Sequence, residues 1–235
     1  KFFKMQIKKH VPNTITLLNL FCGCIALVSI AKGDFYGGFI FVCLGIFLDF
    51  FDGFFARLFK VSSPLGLQLD SLADMVTSGV VPGYVMYSMF AMMTDNVYVP
   101  FIGFVITLGA CFRLANFNID ERQTDSFIGL PTPANALFFL SLPLIPKSML
   151  VIELFTNLWF LIVISLLSAY IMNAEIPLFS LKIKKLNFKD NMLPMVFLFL
   201  SVLLLLFFQF SGIPLVILMY ILLSIINNKF LKAKV

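Results

Sequence analysis

Long apolar stretches separated by short polar segments run the whole length of the chain. A transmembrane helix needs about 20 predominantly apolar residues, and eight stretches approach or exceed that length. We place the predicted spans at residues 14–32, 36–59, 68–93, 97–117, 133–147, 150–173, 193–210 and 212–229. The fifth is short and only a Ser-Gly-Ile-Pro break separates the last two, so six or seven spans are the alternatives. The pattern predicts an all-α integral membrane protein of about eight transmembrane helices.

The composition agrees with this pattern, because the chain is 60% hydrophobic and 12% charged. Soluble domains carry about a quarter charged residues, so a soluble protein is excluded. With one compositional regime, residues 1–235 are predicted to form a single polytopic domain. Within it we expect a basic cytosolic or interfacial N-terminus at 1–13, a catalytic core at 14–173 and C-terminal spans at 193–229. The basic residues form no stripe with interleaved aromatics, which predicts no nucleic-acid partner.

The positions of the basic residues predict an orientation. If the N-terminus is cytosolic, every Lys and Arg lies on the cytosolic side of the predicted topology except Lys32 and Lys147. The positive-inside rule describes this asymmetry. The first apolar run lacks a small-residue cleavage site, which indicates a retained span rather than a signal peptide. We expect a multi-pass protein of the cytoplasmic membrane whose N-terminus and active site face the cytosol.

Four aspartates interrupt the apolar sequence at the cytosolic ends of the second and third predicted spans. Asp49 and Asp52 share one face of a helix, and Asp70 and Asp74 share another. A turn at residues 62–66 brings the two acidic ends together. Carboxylates held together at low dielectric repel each other or become protonated, and divalent cations relieve this. Oxygen ligands without nearby His or Cys favour Mg²⁺ or Mn²⁺, and four negative charges suit two ions.

Small and basic residues follow the aspartates at a spacing that suits a phosphate ligand. Gly53 lets a ligand approach the helix backbone, and Ala56 keeps the next turn small. Arg57 lies on the same face as Gly53 and can form bidentate bonds to phosphate. Gly66 permits a tight turn or a close helix approach. The pattern therefore predicts metal-dependent phosphoryl chemistry.

Two other interpretations of the acids are weaker. Structural ion pairs would need more basic partners than Arg57 and Lys60, which are the ones close in sequence. A cation-binding transporter or channel would distribute its acids along a path across the bilayer, whereas these cluster at one end. Such transporters also tend to carry discontinuous helices in matching halves, and the sequence has no such internal repeat.

The acidic motif as a whole resembles the signature of the CDP-alcohol phosphotransferases. The matching positions are Asp49, Asp52, Gly53, Ala56, Arg57, Gly66, Asp70 and Asp74. The resemblance implies a membrane enzyme that displaces CMP from a CDP-linked lipid or alcohol with an incoming hydroxyl. It also implies a six-helix core, a homodimer, and a two-metal site in a polar cavity open to the cytosol. Two of the eight predicted spans then lie outside that core.

The same resemblance implies roles for individual residues. The metal ligands are Asp49, Asp52, Asp70 and Asp74. Asp74 is also implied to accept a proton. The residues implied to act directly in the reaction are Asp70, Asp74 and Arg57. A Pro-Asn-x-x-Thr element at residues 12–16 matches another part of the family pattern. The implied contacts to the nucleotide substrate are Asn13, Thr16, Asp52, Gly53, Ala56, Arg57, Ser63 and Gly66.

Four further segments resemble the branch of this family that uses serine as the acceptor alcohol. They are residues 10–13, 19–23, 113–118 and 127–133. The branch usually has R-L-A-R-F-N in the fourth span, and Asn116 replaces its second Arg here. We expect CDP-diacylglycerol as donor and L-serine as acceptor. Arg113 is expected to bind the serine carboxylate, with Asn116, Asn118 and Gly129 nearby.

A sister enzyme acting on glycerol 3-phosphate or inositol phosphate is the alternative within the family. Such acceptors carry a phosphate and need extra basic residues around their pocket. The sequence has few basic residues at the cytosolic side of the fourth and fifth predicted spans. Serine is therefore favoured.

Overall fold

The computed structural model of the chain describes residues 2–61, 63–120, 128–146, 152–179 and 192–232. Helices dominate these residues. In the first half they are α1 (Phe2–Ala31), α2 (Phe35–Phe59), α3 (Pro64–Asp74), a π-helix (Met75–Val80), α4 (Val81–Ala91), a 3₁₀-helix (Val99–Phe104) and α5 (Val105–Ile119). In the second half they are α6 (Thr132–Ser141), a 3₁₀-helix (Leu142–Leu144), α7 (Ile152–Phe155), α8 (Leu158–Asn173), α9 (Met192–Phe208), a 3₁₀-helix (Gln209–Ser211) and α10 (Gly212–Lys232).

Among the described residues, four helical runs are long and apolar enough to cross a membrane. They are His10–Ala31, Phe35–Phe59, Val99–Ile119 and Met192–Asn228. Shorter apolar helices are Thr132–Leu144 and Leu158–Asn173. A further continuous helical run is formed by α3, the π-helix and α4, and it carries Asp70 and Asp74 in its first part. The prediction of an all-α, multi-span membrane protein is confirmed.

The last apolar run is a helical hairpin rather than one long helix. The 3₁₀ turn between α9 and α10 contains Gln209 at a φ of 48°. The rings of Phe197 on α9 and Tyr220 on α10 have centroids 5.4 Å apart, which requires the two helices to fold back on each other. The two C-terminal spans are therefore distinct, and α10 also packs against α6.

Several element boundaries differ from the predicted spans. α1 begins at Phe2, so its backbone continues without a break through the boundary expected after residue 13. The third helical run begins at Pro64 rather than at residue 68. α6 ends at Ser141 and gives way to a 3₁₀ turn, because Pro143 has no N–H to continue an α-helix. The basic loop at 182–189 lies outside the described residues.

Cap residues reverse the chain between α2 and α3 and bring the two acidic ends together. Lys60 follows α2 in the left-handed conformation, with φ 55° and ψ 44°. Ser63 Oγ then accepts a hydrogen bond of 3.0 Å from the N–H of Gly66, and a proline occupies the first turn of α3. Ser as N-cap followed by Pro is a preferred way to begin a helix. The turn matches the one predicted, except that Ser62 lies outside the described residues.

Two glycines allow α1, α2 and the π-helix to pack closely. A Cβ atom added at Gly23 of α1 would lie 2.7 Å from Thr77 Cγ2. One added at Gly45 of α2 would lie 2.7 Å from Asn19 Oδ1 and 3.1 Å from Thr77 Cγ2. Cβ atoms are essentially never found at 2.7 Å from another atom, so an alanine at Gly23 or Gly45 would force Thr77 or the Asn19 amide to shift. This contact lies next to Asp74, the last residue of α3.

Candidate active site

Three of the four motif aspartates converge between α2 and α3. Asp49, Asp52 and Asp70 each offer one carboxylate oxygen, and these oxygens all lie within 4.8 Å of one another. Asp52 is the most enclosed of the three, with 6% of its surface exposed. Hard oxygen donors at this separation suit a divalent cation, whose charge offsets their mutual repulsion. The residues present therefore fit a metal ion, as the sequence predicted for this group.

Asp74 lies beside these three. It lies one turn beyond Asp70 on α3, and its Oδ1 accepts a hydrogen bond of 3.2 Å from Asn19 Nδ2. It lines a cavity together with Asp49 and Asp70. The structure thus divides the predicted set of four ligands into a cluster of three and one neighbour.

Thr16 holds Asp52 in place from α1. Its hydroxyl lies 2.5 Å from Asp52 Oδ2 and 3.1 Å from the carbonyl of Pro12. Thr16 is 3% exposed, so the short contact to the carboxylate is shielded from solvent. The residue expected to touch a nucleotide therefore also orients one of the clustered carboxylates.

A cavity of about 540 Å³ opens beside the acidic cluster, and we call it the motif cavity. Every nucleotide contact predicted from the sequence lines it, together with two further predicted metal ligands. The lining residues are Pro12, Asn13, Thr16, Asp49, Phe50, Asp52, Gly53, Ala56, Arg57, Val61, Ser63, Gly66, Leu67, Asp70 and Phe117. The structure thus brings together residues from α1, α2 and α3 that the sequence grouped only by pattern.

The two motif glycines leave space in this cavity because they have no side chain to fill it. A Cβ at Gly53 would lie 3.5 Å from Arg57 Nη1, so the guanidinium lies over the glycine. A Cβ at Gly66 would lie 3.2 Å from Ser63 Oγ and 3.3 Å from Asn13 Oδ1. The polar atoms next to both glycines belong to residues that line the motif cavity. The predicted adjacency of Gly53 and Arg57 on one helix face is observed.

A second cavity of about 230 Å³ is also lined by motif aspartates, and we call it the inner cavity. Its lining residues are Asp49, Asp70, Ser71, Asp74, Arg113, Leu114, Phe117, Pro131, Thr132 and Pro133. Asp49, Asp70 and Phe117 also line the motif cavity. These shared side chains form the boundary between the two spaces. Sequence reasoning missed Ser71, because a lone hydroxyl residue carries no periodic or motif signal, whereas Thr132 belongs to the segment at 127–133 that the sequence had singled out.

Arg113 contacts the segment before α6 as well as the inner cavity. It is 8% exposed, and its Nη1 donates to the carbonyl of Ile128 while its Nη2 donates to that of Gly129 at 3.3 Å. Gly129 has a φ of 75°, which suits glycine. Two of the five guanidinium N–H groups are therefore used in the fold. Phe127, which belongs to the same predicted loop, lies outside the described residues.

The other residues predicted around serine lie elsewhere. Asn116 lines a third cavity of about 360 Å³, together with Arg113, Ile119, Asp120, Ile128, Asn173, Ala174 and Glu175. Asn118 Nδ2 donates to Ser71 Oγ at 2.8 Å, so it supports a residue of the inner cavity. The carbonyl of Gly129 accepts a hydrogen bond from the Arg113 guanidinium. Of the four predicted residues, Arg113 alone is among those lining the inner cavity.

A π-helix follows Asp74 directly and is a second feature that sequence reasoning missed. It covers Met75–Val80, and its wide turn is bound from α5 by Thr107 Oγ1, which donates to the carbonyl of Gly79 at 2.9 Å. Within the run, Thr77 Oγ1 donates to the carbonyl of Ala73 at 3.0 Å. Short π-helical segments recur at functional sites. Here the segment begins directly after Asp74.

Comparisons with known proteins agree with this geometry. The family model described as CDP-alcohol phosphatidyltransferase matches residues 9–226. A CDP-diacylglycerol–serine O-phosphatidyltransferase of Bacillus subtilis is 40% identical over 128 residues, covering 53% of this chain and 70% of that protein. An enzyme of the same name from Helicobacter pylori is 31% identical over 193 residues, covering 81% and 79%. One from Saccharomyces cerevisiae is 34% identical over 156 residues, covering 60% and 55%.

The bond from Thr16 to Asp52 generates a test of the acidic cluster. Thr16→Val removes the hydroxyl, and we expect Mn²⁺ affinity to fall by about 10–100-fold, as is usual when a group that orients a metal ligand is lost. Thr14→Val is the matched control, since Thr14 is exposed and its hydroxyl bonds only to the His10 carbonyl among the contacts described. Binding is measured by electron paramagnetic resonance of Mn²⁺ with the purified protein. Equal affinities in the two variants would contradict the assignment.

Proposed function

The chain belongs to the CDP-alcohol phosphatidyltransferase family, and we propose that it transfers the phosphatidyl group of CDP-diacylglycerol to the hydroxyl of L-serine, giving phosphatidylserine and CMP. The observation that carries the proposal is the meeting of two cavities at the motif aspartates. The motif cavity has residues suited to a nucleotide diphosphate, and the inner cavity has a carboxylate and an arginine suited to the acceptor. The names of the relatives support serine as that acceptor.

The donor binds in the motif cavity in this proposal. Its volume of about 540 Å³ lies within the range of ligand pockets, about 300–1,000 Å³. Arg57 contacts the diphosphate with its planar guanidinium, and Gly53 lets the phosphates approach α2 closely. Asn13 and Ser63 offer polar atoms to the nucleotide from the ends of this cavity. The position of Arg57 over Gly53 supports this arrangement.

Asp49, Asp52 and Asp70, with Asp74 beside them, would hold two Mg²⁺ or Mn²⁺ ions, whose charge offsets that of the diphosphate and makes its phosphorus more electrophilic. Asp52 is oriented for this by Thr16. The low exposure of Asp52 and Thr16 limits competition from water. The protein contributes mainly positioning and electrostatic stabilisation, as is general for phosphoryl transfer.

The acceptor occupies the inner cavity in this proposal. Asp74 takes the proton of the serine hydroxyl, and the hydroxyl oxygen forms a bond to the phosphorus next to the lipid. The bond from that phosphorus to the oxygen of CMP breaks, and CMP leaves with the bonding electrons. Asp49 and Asp70 line both cavities, so the attacking oxygen and the phosphorus meet beside them.

Arg113 binds the serine carboxylate through the N–H groups that are not donated to the segment before α6. Gly129 acts indirectly by holding the guanidinium, and Asn118 acts indirectly through Ser71. Asn116 lines the neighbouring third cavity, from which serine can approach Arg113. Among the described residues, the inner cavity is lined by one Arg and three Asp, a charge balance that does not favour an acceptor carrying a phosphate.

We also propose where the protein acts. The distribution of Lys and Arg supports the cytoplasmic membrane, with the N-terminus and the active site on the cytosolic side. The chain forms one polytopic domain with the catalytic core at 14–173 and two further spans at 193–229. A homodimer is proposed from the family resemblance.

An acceptor screen tests the proposed function. Purified protein is incubated with CDP-diacylglycerol and Mn²⁺, and CMP release is measured with serine, glycerol 3-phosphate or inositol phosphate. We expect release with serine alone, because Arg113 is the one basic side chain among the described residues that line the inner cavity. Release with a phosphorylated acceptor and not with serine would replace the proposal by that of a sister enzyme. Binding of cations without CMP release under any condition would favour a transporter.

Asp74→Asn tests the proton acceptor. The amide preserves shape but takes no proton, so we expect kcat to fall by about 10²–10⁴-fold, the usual contribution of a general base. CDP-diacylglycerol binding, measured by calorimetry, is expected to persist because the motif cavity is not lined by Asp74. The control is Asp95→Asn, an exposed acid in the connection after α4. Substantial activity in Asp74→Asn would remove this residue from the role.

Arg113→Ala tests the serine contact. Loss of a hydrogen bond to a charged group costs about 1.5–3 kcal/mol, so we expect the KM for serine to rise by about 10–100-fold. The KM for CDP-diacylglycerol is expected to stay the same. Ile128→Ala serves as control, since it alters the same segment without removing the guanidinium. An unchanged KM for serine, or a parallel rise in both KM values, would contradict the assignment.

A further inference from the structure

Asn19 is a buried polar residue that neither the acidic motif nor the proposed chemistry uses. It lies in the middle of α1 and is 0% exposed. Its Nδ2 donates to Asp74 Oδ1 at 3.2 Å, while its Oδ1 has no hydrogen-bond partner among the described residues. A buried amide oxygen without a partner costs free energy. The amide nitrogen of Asn19 therefore contacts Asp74 while the amide oxygen lacks a described hydrogen-bond partner.

The surroundings of Asn19 leave its side chain little freedom. Gly45 of α2 lies against the amide, where a Cβ would be 2.7 Å from Asn19 Oδ1. Thr77 closes the same space, with its methyl group 3.1 Å from that Cβ position. A rotated or longer side chain would collide with these groups. The amide is thus held in one place, with its donor toward the carboxylate, because the opposite orientation would place two oxygen atoms together.

Asp74 lies at the junction between an α-helix and a π-helix. It is the last residue of α3, and the π-helix begins at Met75. Thr107 binds the far end of this segment at Gly79. Asn19 is the described side chain that hydrogen-bonds to the Asp74 carboxylate itself.

We propose that Asn19 is a positioning residue for Asp74: it binds Oδ1 of the carboxylate and so leaves Oδ2 to accept the proton of the acceptor hydroxyl in the inner cavity. This inference rests on the proposed function, in which Asp74 takes that proton. An amide suits the task because it donates a hydrogen bond without carrying charge. A Lys or Arg at this place would neutralise the carboxylate and weaken it as a base. Asn19 itself lines neither cavity.

A purely structural role for Asn19 predicts different behaviour. Polar side chains often join helices inside membranes through hydrogen bonds worth about 0.6–2 kcal/mol. In that case its removal would lower thermal stability and leave the turnover of folded protein unchanged. A positioning role predicts that the proton-transfer step itself slows. Turnover per folded molecule and the solvent isotope effect therefore distinguish a structural role of Asn19 from a positioning role.

The experiment uses the full chain in lipid nanodiscs with CDP-diacylglycerol, serine and Mn²⁺. In Asn19→Ala and Asn19→Leu we expect kcat to fall by about 10–100-fold, the loss typical of a supporting group. The KM values for both substrates are expected to stay within about twofold of wild type, by the criterion that a group acting only in the transition state leaves substrate binding unchanged. The solvent deuterium isotope effect on kcat should rise, because proton transfer becomes limiting.

Asn135→Ala is the matched control. Asn135 is a buried intramembrane asparagine, 1% exposed, that accepts a hydrogen bond of 2.6 Å from Ser168 and lines neither cavity. We expect this variant to lose thermal stability while its kcat and isotope effect match those of wild type. A second route to Asn19 is Gly45→Ala, which displaces the amide from α2 without altering it. It should show the kinetic signature of Asn19→Ala, and it keeps the test decisive where Asn19→Ala does not fold.

The outcomes of this experiment are distinguishable from failure of the proposed function. If the wild-type protein releases no CMP with serine, the proposed function fails. If wild type is active and the Asn19 and Gly45 variants keep its kcat and isotope effect, the inference is overturned. It is also overturned if both variants lose activity only in proportion to folded protein, as the Asn135 control would.

Discussion

The mutual repulsion of aspartates inside an apolar bundle is the constraint on which the structure depends. Carboxylate oxygens of Asp49, Asp52 and Asp70 lie within 4.8 Å of one another. At an effective dielectric constant near 20, each charged pair at that distance costs on the order of 3 kcal/mol. The fold must therefore hold these groups together against this repulsion. Much of the surrounding architecture serves that purpose.

Three local devices oppose the repulsion. The left-handed Lys60 and the Ser63 cap turn the chain back, so that α2 and α3 present their acids to each other. Thr16 donates to Asp52 from α1. Glycines at the α1–α2 contact let the third helical run approach closely enough for Asp74 to reach Asn19. Each device lies on a different part of the fold, so the acidic cluster also ties the first three helices together.

The two cavities explain how one acidic cluster can serve two substrates of different character. The motif cavity is the larger and presents Arg57 with small residues, whereas the inner cavity presents Asp74 and Arg113. Their common boundary contains Asp49 and Asp70. In the proposed reaction, the reactants in the two spaces meet beside the same carboxylates, which would provide the proximity on which phosphoryl transfer relies.

The sequence alone determined the helical class, the approximate spans and the motif, because each of these depends on residues that lie close together in the chain. Apolar runs of about 20 residues identify spans, and the spacing of Asp49, Asp52, Asp70 and Asp74 along two helices predicts their shared faces. Tertiary structure decided which partners the polar side chains meet. Asp74 pairs with a residue 55 positions away, Asn118 with one 47 positions away, and Arg113 uses two donors on backbone carbonyls. Contacts of this kind depend on how helices far apart in the sequence pack together, and no local pattern in a single sequence encodes that packing.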